Sequence, residues 1–336
     1  MGKVYHSRTY SVSVSPGRDI NYLRLSITDR CNLRCFYCLP QQGWEKLPAP
    51  EILRYEEFLT LTRAAVRAGI RKVRVTGGEP LVRRGVVDFL GRLREVSGLE
   101  EIALTTNGVL LPDLARDLFA AGLRHLNLSL DTMNAERYRK ITGADLFRQV
   151  MAGLWRAVDL GFQPLKVNCV VLKGMNDDEL LDFALLARDY PLQVRFIEFM
   201  PTVSREHWPR HFLPIKEVRR RLLALGVMAE VASEPTAGPA RILQPPGFQG
   251  TIGFISAVSQ HHCRKCNRLR LTAAGRLRPC LFSPQELDLK GPLRRGADEP
   301  ELRCLFRLAM EQKTCSPPAH LTRPDHPISP MVSLGG

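Results

Sequence analysis

Two hydrophobic periods alternate along the chain from residue 22 to about residue 225. YLRLSI at 22–27 is apolar at every second position, the pattern of a half-buried strand. YEEFLTLTRAAVRAG at 55–69 then puts Phe58, Leu61, Ala65 and Ala68 on one helical face, with Gly69 placed to cap it. Strand-like RKVRVT (71–76), EIALTT (101–106), RHLNLSLD (124–131), LKVNCVVL (165–172) and LQVRFIEF (192–199) are each followed by a helix-compatible segment. Six such units imply an α/β fold with parallel strands and right-handed crossovers. Periodicity alone leaves an incomplete barrel and an open doubly wound sheet both possible. From Val231 the sequence turns to SEPTAGPARILQPPGFQG, whose Pro and Gly mark a change of architecture. A boundary near 230 divides the chain into 1–230 and 231–336.

With 336 residues and 44% hydrophobic content the chain can bury a large core. No apolar run approaches the ~20 residues that span a bilayer. The N-terminal MGKVYHSRTYSVSVSPGRDI lacks the apolar core of a secretion signal and alternates as a β arm would, so a cytoplasmic location is expected. A formal charge of +14 favours an anionic partner, and nucleic acid or a nucleoside triphosphate would both suit it. Arg83, Arg84 and the run Arg219, Arg220, Arg221 read as solvated surface. Arg24, Arg74, Lys166 and Arg195 differ, because they interrupt apolar strands where cations are uncommon unless paired.

Six of the nine cysteines fall into two tight triplets, while Cys169, Cys304 and Cys315 stand apart. That grouping suits metal ligation in a reducing compartment better than disulfides. Cys31-x3-Cys35-x2-Cys38 offers three thiolates, which on a four-iron cluster leaves one iron open, whereas paired CxxC motifs would close a zinc site. Cys263-x2-Cys266-x13-Cys280 taken alone could also be a zinc ribbon, with His261 or His262 as fourth ligand.

TDRCNLRCFYCLP, with Tyr37 just before the last cysteine, resembles the hallmark of the radical S-adenosylmethionine (SAM) enzymes. The resemblance implies a partial (β/α)6 TIM-like barrel with its chemistry at the C-terminal strand ends. It also implies a 4Fe-4S cluster on Cys31, Cys35 and Cys38, with SAM on the fourth iron. VTGGEP, TTNG, LSLD, LKVN, RFIEFMP, GTIGFIS, CNRLRLTAAGRLRPCLF and a terminal LGG extend the likeness over nearly the whole chain. Together they closely resemble the GTP 3′,8-cyclase family of molybdenum-cofactor biosynthesis. Departures are small: Leu334 stands where the tail often has Ile, and Val203-Ser204 where Gly is frequent.

This second resemblance implies a smaller C-terminal domain, in which Cys263, Cys266 and Cys280 hold another 4Fe-4S cluster that contacts guanine. Tyr37, Gly78, Ser129 and Met200 would line the SAM site. Arg24, Arg74, Thr105, Lys166, Arg268 and Arg270 would bind GTP, and Arg195 would act near the substrate. Gly335 and Gly336 would reach the catalytic pocket. The implied reaction removes hydrogen from C3′ of GTP and joins that carbon to C8. Also implied are a homodimer, a reductant protein or flavin system as electron donor, and delivery to cyclic pyranopterin monophosphate synthase, with no membrane or nucleic acid as partner. Two other readings compete: a radical SAM enzyme acting on a peptide or RNA, and a zinc-dependent nucleic-acid-binding protein.

Overall fold

Each apolar alternation in the sequence becomes a strand whose alternate residues face opposite layers. β1 (Tyr22–Ser26), β2 (Lys72–Thr76), β3 (Glu101–Thr106), β4 (His125–Ser129), β5 (Leu165–Val171) and β6 (Gln193–Glu198) lie within two residues of the expected segments. They alternate with α1 (Tyr55–Arg67), α2 (Val86–Arg94), α3 (Leu111–Ala120), α4 (Ala135–Thr142), α5 (Phe147–Asp159) and α6 (Leu180–Asp189). The computed structural model of the chain describes residues 19–40, 43–201, 207–232, 238–260, 263–313 and 331–335. In α1, Phe58, Leu61 and Ala65 are fully buried, and Gly69 beyond its end has φ +117°, as a left-handed stop requires. The Glu57 carboxylate caps the same helix by accepting from the Arg54 N–H at 2.6 Å.

Two short helices, α7 (Trp208–His211) and α8 (Ile215–Arg221), lead out of the repeat. The later part of the chain supplies β7 (Ala229–Glu230), β8 (Arg241–Gln244), β9 (Thr251–Ile255), β10 (Arg268–Leu271), β11 (Arg276–Arg278) and β12 (Leu287–Asp288). It ends in α9 (Lys290–Arg294), α10 (Glu299–Glu311) and α11 (Met331–Leu334). These strands extend the same sheet, whose order is β12-β11-β10-β1-β2-β3-β4-β5-β6-β9-β8-β7. From β10 to β9 every pairing is parallel, while β7, β8, β11 and β12 finish the two edges antiparallel.

The sheet is curled. Arg195 on β6 is shifted by Arg74 on β2 and by Tyr22 on β1, four and five strands away. A flat sheet would hold such strands roughly 20 Å apart. Outer-face residues such as Leu23, Leu25, Val73, Leu126, Val167 and Phe196 are fully buried beneath the helices. Each such side chain contributes roughly 1.5–3 kcal/mol on burial.

The arginines expected at the surface are structural in part. Arg83 donates to the Leu53 carbonyl at 2.8 Å and lies 4.2 Å from the Tyr55 ring centre. Arg221 bonds Asp177 at 2.7 Å and, with Arg220, clasps Glu217. The Leu53 carbonyl and Asp177, both outside the charge runs, account for the difference.

Candidate active site

The loop leaving the C-terminal end of β1 carries Cys31, Cys35 and Cys38, all free thiols. A turn closed by the Cys38 N–H donating to the Cys35 carbonyl (2.9 Å) shapes it. Asn107 Nδ2 lies 3.8 Å from Cys31 Sγ, and the Leu33 N–H donates to that sulfur at 3.4 Å. Burial pushes Cys31 up to about 11 and Cys38 up to about 12. For Cys35, burial is joined by Cys38, Asp131 and Cys31, all negative when ionised. Thiols that oppose each other's ionisation in this way fit a cationic cluster, which binds thiolates. Among the described residues no three His, Cys, Asp or Glu side chains gather around one point as a single metal ion requires. The expected alternative ligands His261 and His262 lie outside the described residues.

The turn after β2 is pressed against this loop. The Gly78 N–H donates to the Thr28 carbonyl at 2.7 Å and the Glu79 N–H to the Arg30 carbonyl at 2.8 Å. A Cβ on Gly78 would stand 2.5 Å from the Arg30 oxygen, so only glycine permits the approach. Glu79, fully enclosed, accepts from Leu81 N–H, Thr106 Oγ1 and Asn107 N–H, and burial raises its carboxyl to about 7. Tyr37 donates to Asp131 at 2.5 Å, and its ring meets Phe199 edge-on at 6.3 Å. Gly78 after β2, Ser129 at the end of β4 and Met200 after β6 share this upper rim with the first triplet.

Below the rim the inner face is charged. A TIM barrel ordinarily fills this space with layered apolar side chains. Here the register aligns Arg270, Arg24 and Arg74 across β10, β1 and β2, and Thr105, Asn127 and Lys166 across β3, β4 and β5. Lys72, Arg195 and Arg268 share the face with Glu101, which bonds Lys72 (2.7 Å) and His125 (2.6 Å). The cations destabilise one another. Burial and then Arg195 and Arg74 bring Lys166 down to about 7; burial and Arg74 bring Arg195 to about 9; burial and Arg268 bring Arg270 to about 10. Arg24 is pulled well below its usual value by burial and Arg270. Arg24 Nε, Arg74 Nε and Thr105 Oγ1 are buried without a hydrogen-bond partner. A lumen with surplus positive charge and unpaired donors fits a polyanion.

The second triplet closes the lower end. Cys263 and Cys266 precede β10, which runs parallel to β1, and antiparallel β11 brings Cys280 back to the same level. Burial alone would raise Cys266, yet Arg268 and Lys313 bring it down to about 6. Lys313 donates to the Pro279 carbonyl at 2.6 Å, which ties Cys280's segment to α10. The Cys266 thiol is thus ready to bind metal as a thiolate.

The tail returns to the centre. Val332 is buried against Gly78, and Gly335 lies buried with φ +72° beside Ser26 and Thr76. Its carbonyl accepts from Arg270 Nη1 at 3.2 Å. Gly336 lies outside the described residues. The structure therefore gathers the other expected site residues on one rim, one lumen and one floor. Sequence reasoning passed over Glu79, Asp131, Asn107, Asn127 and Asn168. An acid inside the otherwise glycine-rich TGGEP turn was the available signal for Glu79; the amides carried none.

Comparisons with known proteins agree with this arrangement. Residues 25–187 match the model of the radical SAM superfamily, and residues 192–317 match that of molybdenum cofactor synthesis C. The chain is 48% identical to the GTP 3′,8-cyclase of Heliobacterium modesticaldum over 88% of its own length and 91% of that protein's. With the GTP 3′,8-cyclase of Thermodesulfovibrio yellowstonii it shares 45% identity over 95% and 98% of the two chains. Molybdenum cofactor biosynthesis protein 1 of Bos taurus is 44% identical over 88% of this chain and 47% of its own. Among solved structures, Streptococcus suis SuiB bound to SAM superposes with a TM-score of 0.56 at 13% identity, over 86% of this chain and 68% of that one, a likeness of fold. By sequence, the chain belongs to the GTP 3′,8-cyclase family of radical SAM proteins.

Proposed function

We propose that this protein converts GTP into 3′,8-cyclo-7,8-dihydroguanosine 5′-triphosphate, the first step toward molybdenum cofactor. The observation that carries this reading is a cation-lined lumen held between two cysteine triplets. Its relatives named for that reaction support it.

Cys31, Cys35 and Cys38 would hold a 4Fe-4S cluster, with Tyr37, Gly78, Ser129 and Met200 around its SAM. Cys263, Cys266 and Cys280 would hold the second cluster. When bound, the first cluster and SAM supply a hydrogen-abstracting radical. The chain's own residues do the rest. Arg24, Arg74, Thr105 and Lys166 take the triphosphate, Arg268 and Arg270 orient the nucleotide from below, and Arg195 faces the reacting sugar. The lumen would exclude water from the reacting centre, with the Gly335 backbone beside Ser26 and Thr76 over it. GTP gives up a hydrogen atom at C3′, gains the C3′–C8 bond, and takes up one electron and one proton at the purine. The product is its isomer.

The reading extends to a cytoplasmic protein acting as a homodimer, reduced by a protein or flavin donor and followed by cyclic pyranopterin monophosphate synthase. It also keeps a functional division near residue 230, between the SAM-binding part and the part bearing the second triplet. No described helix is long and apolar enough to cross a membrane. Anaerobic reconstitution tests the core of the reading. About eight irons per chain are expected. Serine at Cys31, Cys35 or Cys38 should abolish SAM cleavage, while serine at Cys263, Cys266 and Cys280 should leave uncoupled cleavage and no cyclised product. Full product formation without the second triplet, or stoichiometric zinc in place of iron, defeats it.

A further inference from the structure

Level with Lys166 and Arg195 on the inner face stand two neutral amides. Asn127 on β4 stands in register with Thr105 on one side and Lys166 on the other. Asn168 on β5 stands in register with Ser129 and Arg195. Both side-chain carbonyl oxygens are buried and accept no hydrogen bond, although Asn127 is only 3% exposed. A buried acceptor left unpaired is costly, and native proteins rarely keep one without a use.

The cations around these amides restrict what can complete them. Phosphate oxygens are acceptors and are served by Arg24, Arg74 and Lys166, so they cannot satisfy a carbonyl. Among the groups of a nucleoside triphosphate, donors are found on the ribose hydroxyls and on the base. Arg268, Arg270 and the second triplet stand at the β10 side of the curled sheet, whereas β4 and β5 form the far wall. A base held toward β10 leaves the sugar to face β4 and β5. The height agrees: Asn127 is level with Lys166, and Asn168 is one inward step nearer the rim, level with Ser129.

We propose that Asn127 and Asn168 accept the ribose hydroxyls of the substrate and make the site selective for a ribonucleotide over its deoxy counterparts. The proposal rests on the GTP reading and deepens it. As positioning residues the amides would also fix which face of the sugar turns toward the rim. A site that pairs a ligand hydroxyl with a buried acceptor penalises the analogue that lacks it, because the acceptor is stranded again.

The test is equilibrium binding to the reconstituted protein, using GTP, 2′-deoxyGTP, 3′-deoxyGTP and inorganic tripolyphosphate as probes. Unaltered protein should bind GTP about tenfold or more tighter than at least one deoxy analogue. In Asn127→Leu and Asn168→Leu that ratio should fall toward one for the hydroxyl each amide serves, while tripolyphosphate affinity stays within about twofold. Unaltered protein that binds all three nucleotides equally overturns the proposal, whatever the variants do. So does a pair of variants that keep the full ratio. Should one variant misfold, shown by lost iron and lost tripolyphosphate binding, the other variant and the analogues decide. Absence of GTP and tripolyphosphate binding in the unaltered protein would instead strike the GTP reading itself, which keeps the two failures apart.

Discussion

Gly335 occupies a point where backbone and space both demand glycine. Its φ of +72° costs a residue with a Cβ roughly 1–2 kcal/mol. That Cβ would also stand 2.2 Å from Thr76 Oγ1. Gly335→Ala should therefore push the tail out of the lumen and break its bond to Arg270. Product formation should fall on the order of tenfold or more. Iron content and thermal stability should hold; turnover, iron assay and a melting curve together check this. Lys166 makes a second prediction at this scale. Its ammonium titrates near 7 in the folded protein and near 10.4 in the unfolded chain, so between those values the unfolded chain binds more protons. The penalty is complete below pH 7 and is relieved as pH rises to about 10.4. A bound polyanion restores the proton. Tripolyphosphate affinity should then fall as pH rises from 7 to 9, with proton uptake on binding measured by calorimetry in buffers of different ionisation heat. Lys166→Met should flatten that dependence.

Strand β6 shows how one element divides its labour. Gln193, Arg195 and Ile197 alternate with Val194, Phe196 and Glu198, so one face meets the lumen and the other meets the helices. Phe196 is fully buried beside Phe183 and Phe254. Phe196→Ala should cost roughly 3–5 kcal/mol, read by denaturant unfolding. Arg195→Met, one residue away, should leave stability unchanged or raised while abolishing turnover, since it removes a cation that burial and Arg74 oppose. Equal destabilisation by both changes would refute the division of faces. This alternation is also what made the elements legible: cations at every second position of an apolar run are visible in the letters. Partners across the sheet are not. Nothing local in 251–255 or 268–271 says that the first pairs with β6 and the second with β1, because those pairings close long loops. Hence the Pro- and Gly-rich stretch was readable as a change of architecture, while the joining of its flanking strands to both edges of one sheet was not. The amides of Asn127 and Asn168 escaped notice for the same reason, since their meaning depends on which residues stand beside them.

At the scale of the molecule, the fold stores repulsion in its centre and supports it with the apolar outer face. Arg24, Lys72, Arg74, Lys166, Arg195, Arg268 and Arg270 share the inner face, where Glu101 is paired to Lys72. Local surplus of this kind explains more than the overall +14, because surface charge is screened and enclosed charge much less so. The free protein should therefore be less stable than its core permits, and a polyanion should restore the difference. At a hundredfold excess over Kd, tripolyphosphate is expected to add about 2.7 kcal/mol, diminishing as salt competes. Replacing Arg24, Arg74 and Arg195 together with Met should raise the melting temperature of the free protein, by exchanging mutually repelling charges for apolar side chains of similar length. The same variant should no longer respond to tripolyphosphate, although Cys31, Cys35 and Cys38 still assemble iron. Melting curves with and without the anion measure both effects. A variant that melts lower than the parent while keeping its iron would mean that the cations are paired for stability, and that the lumen is not held in readiness for a polyanion.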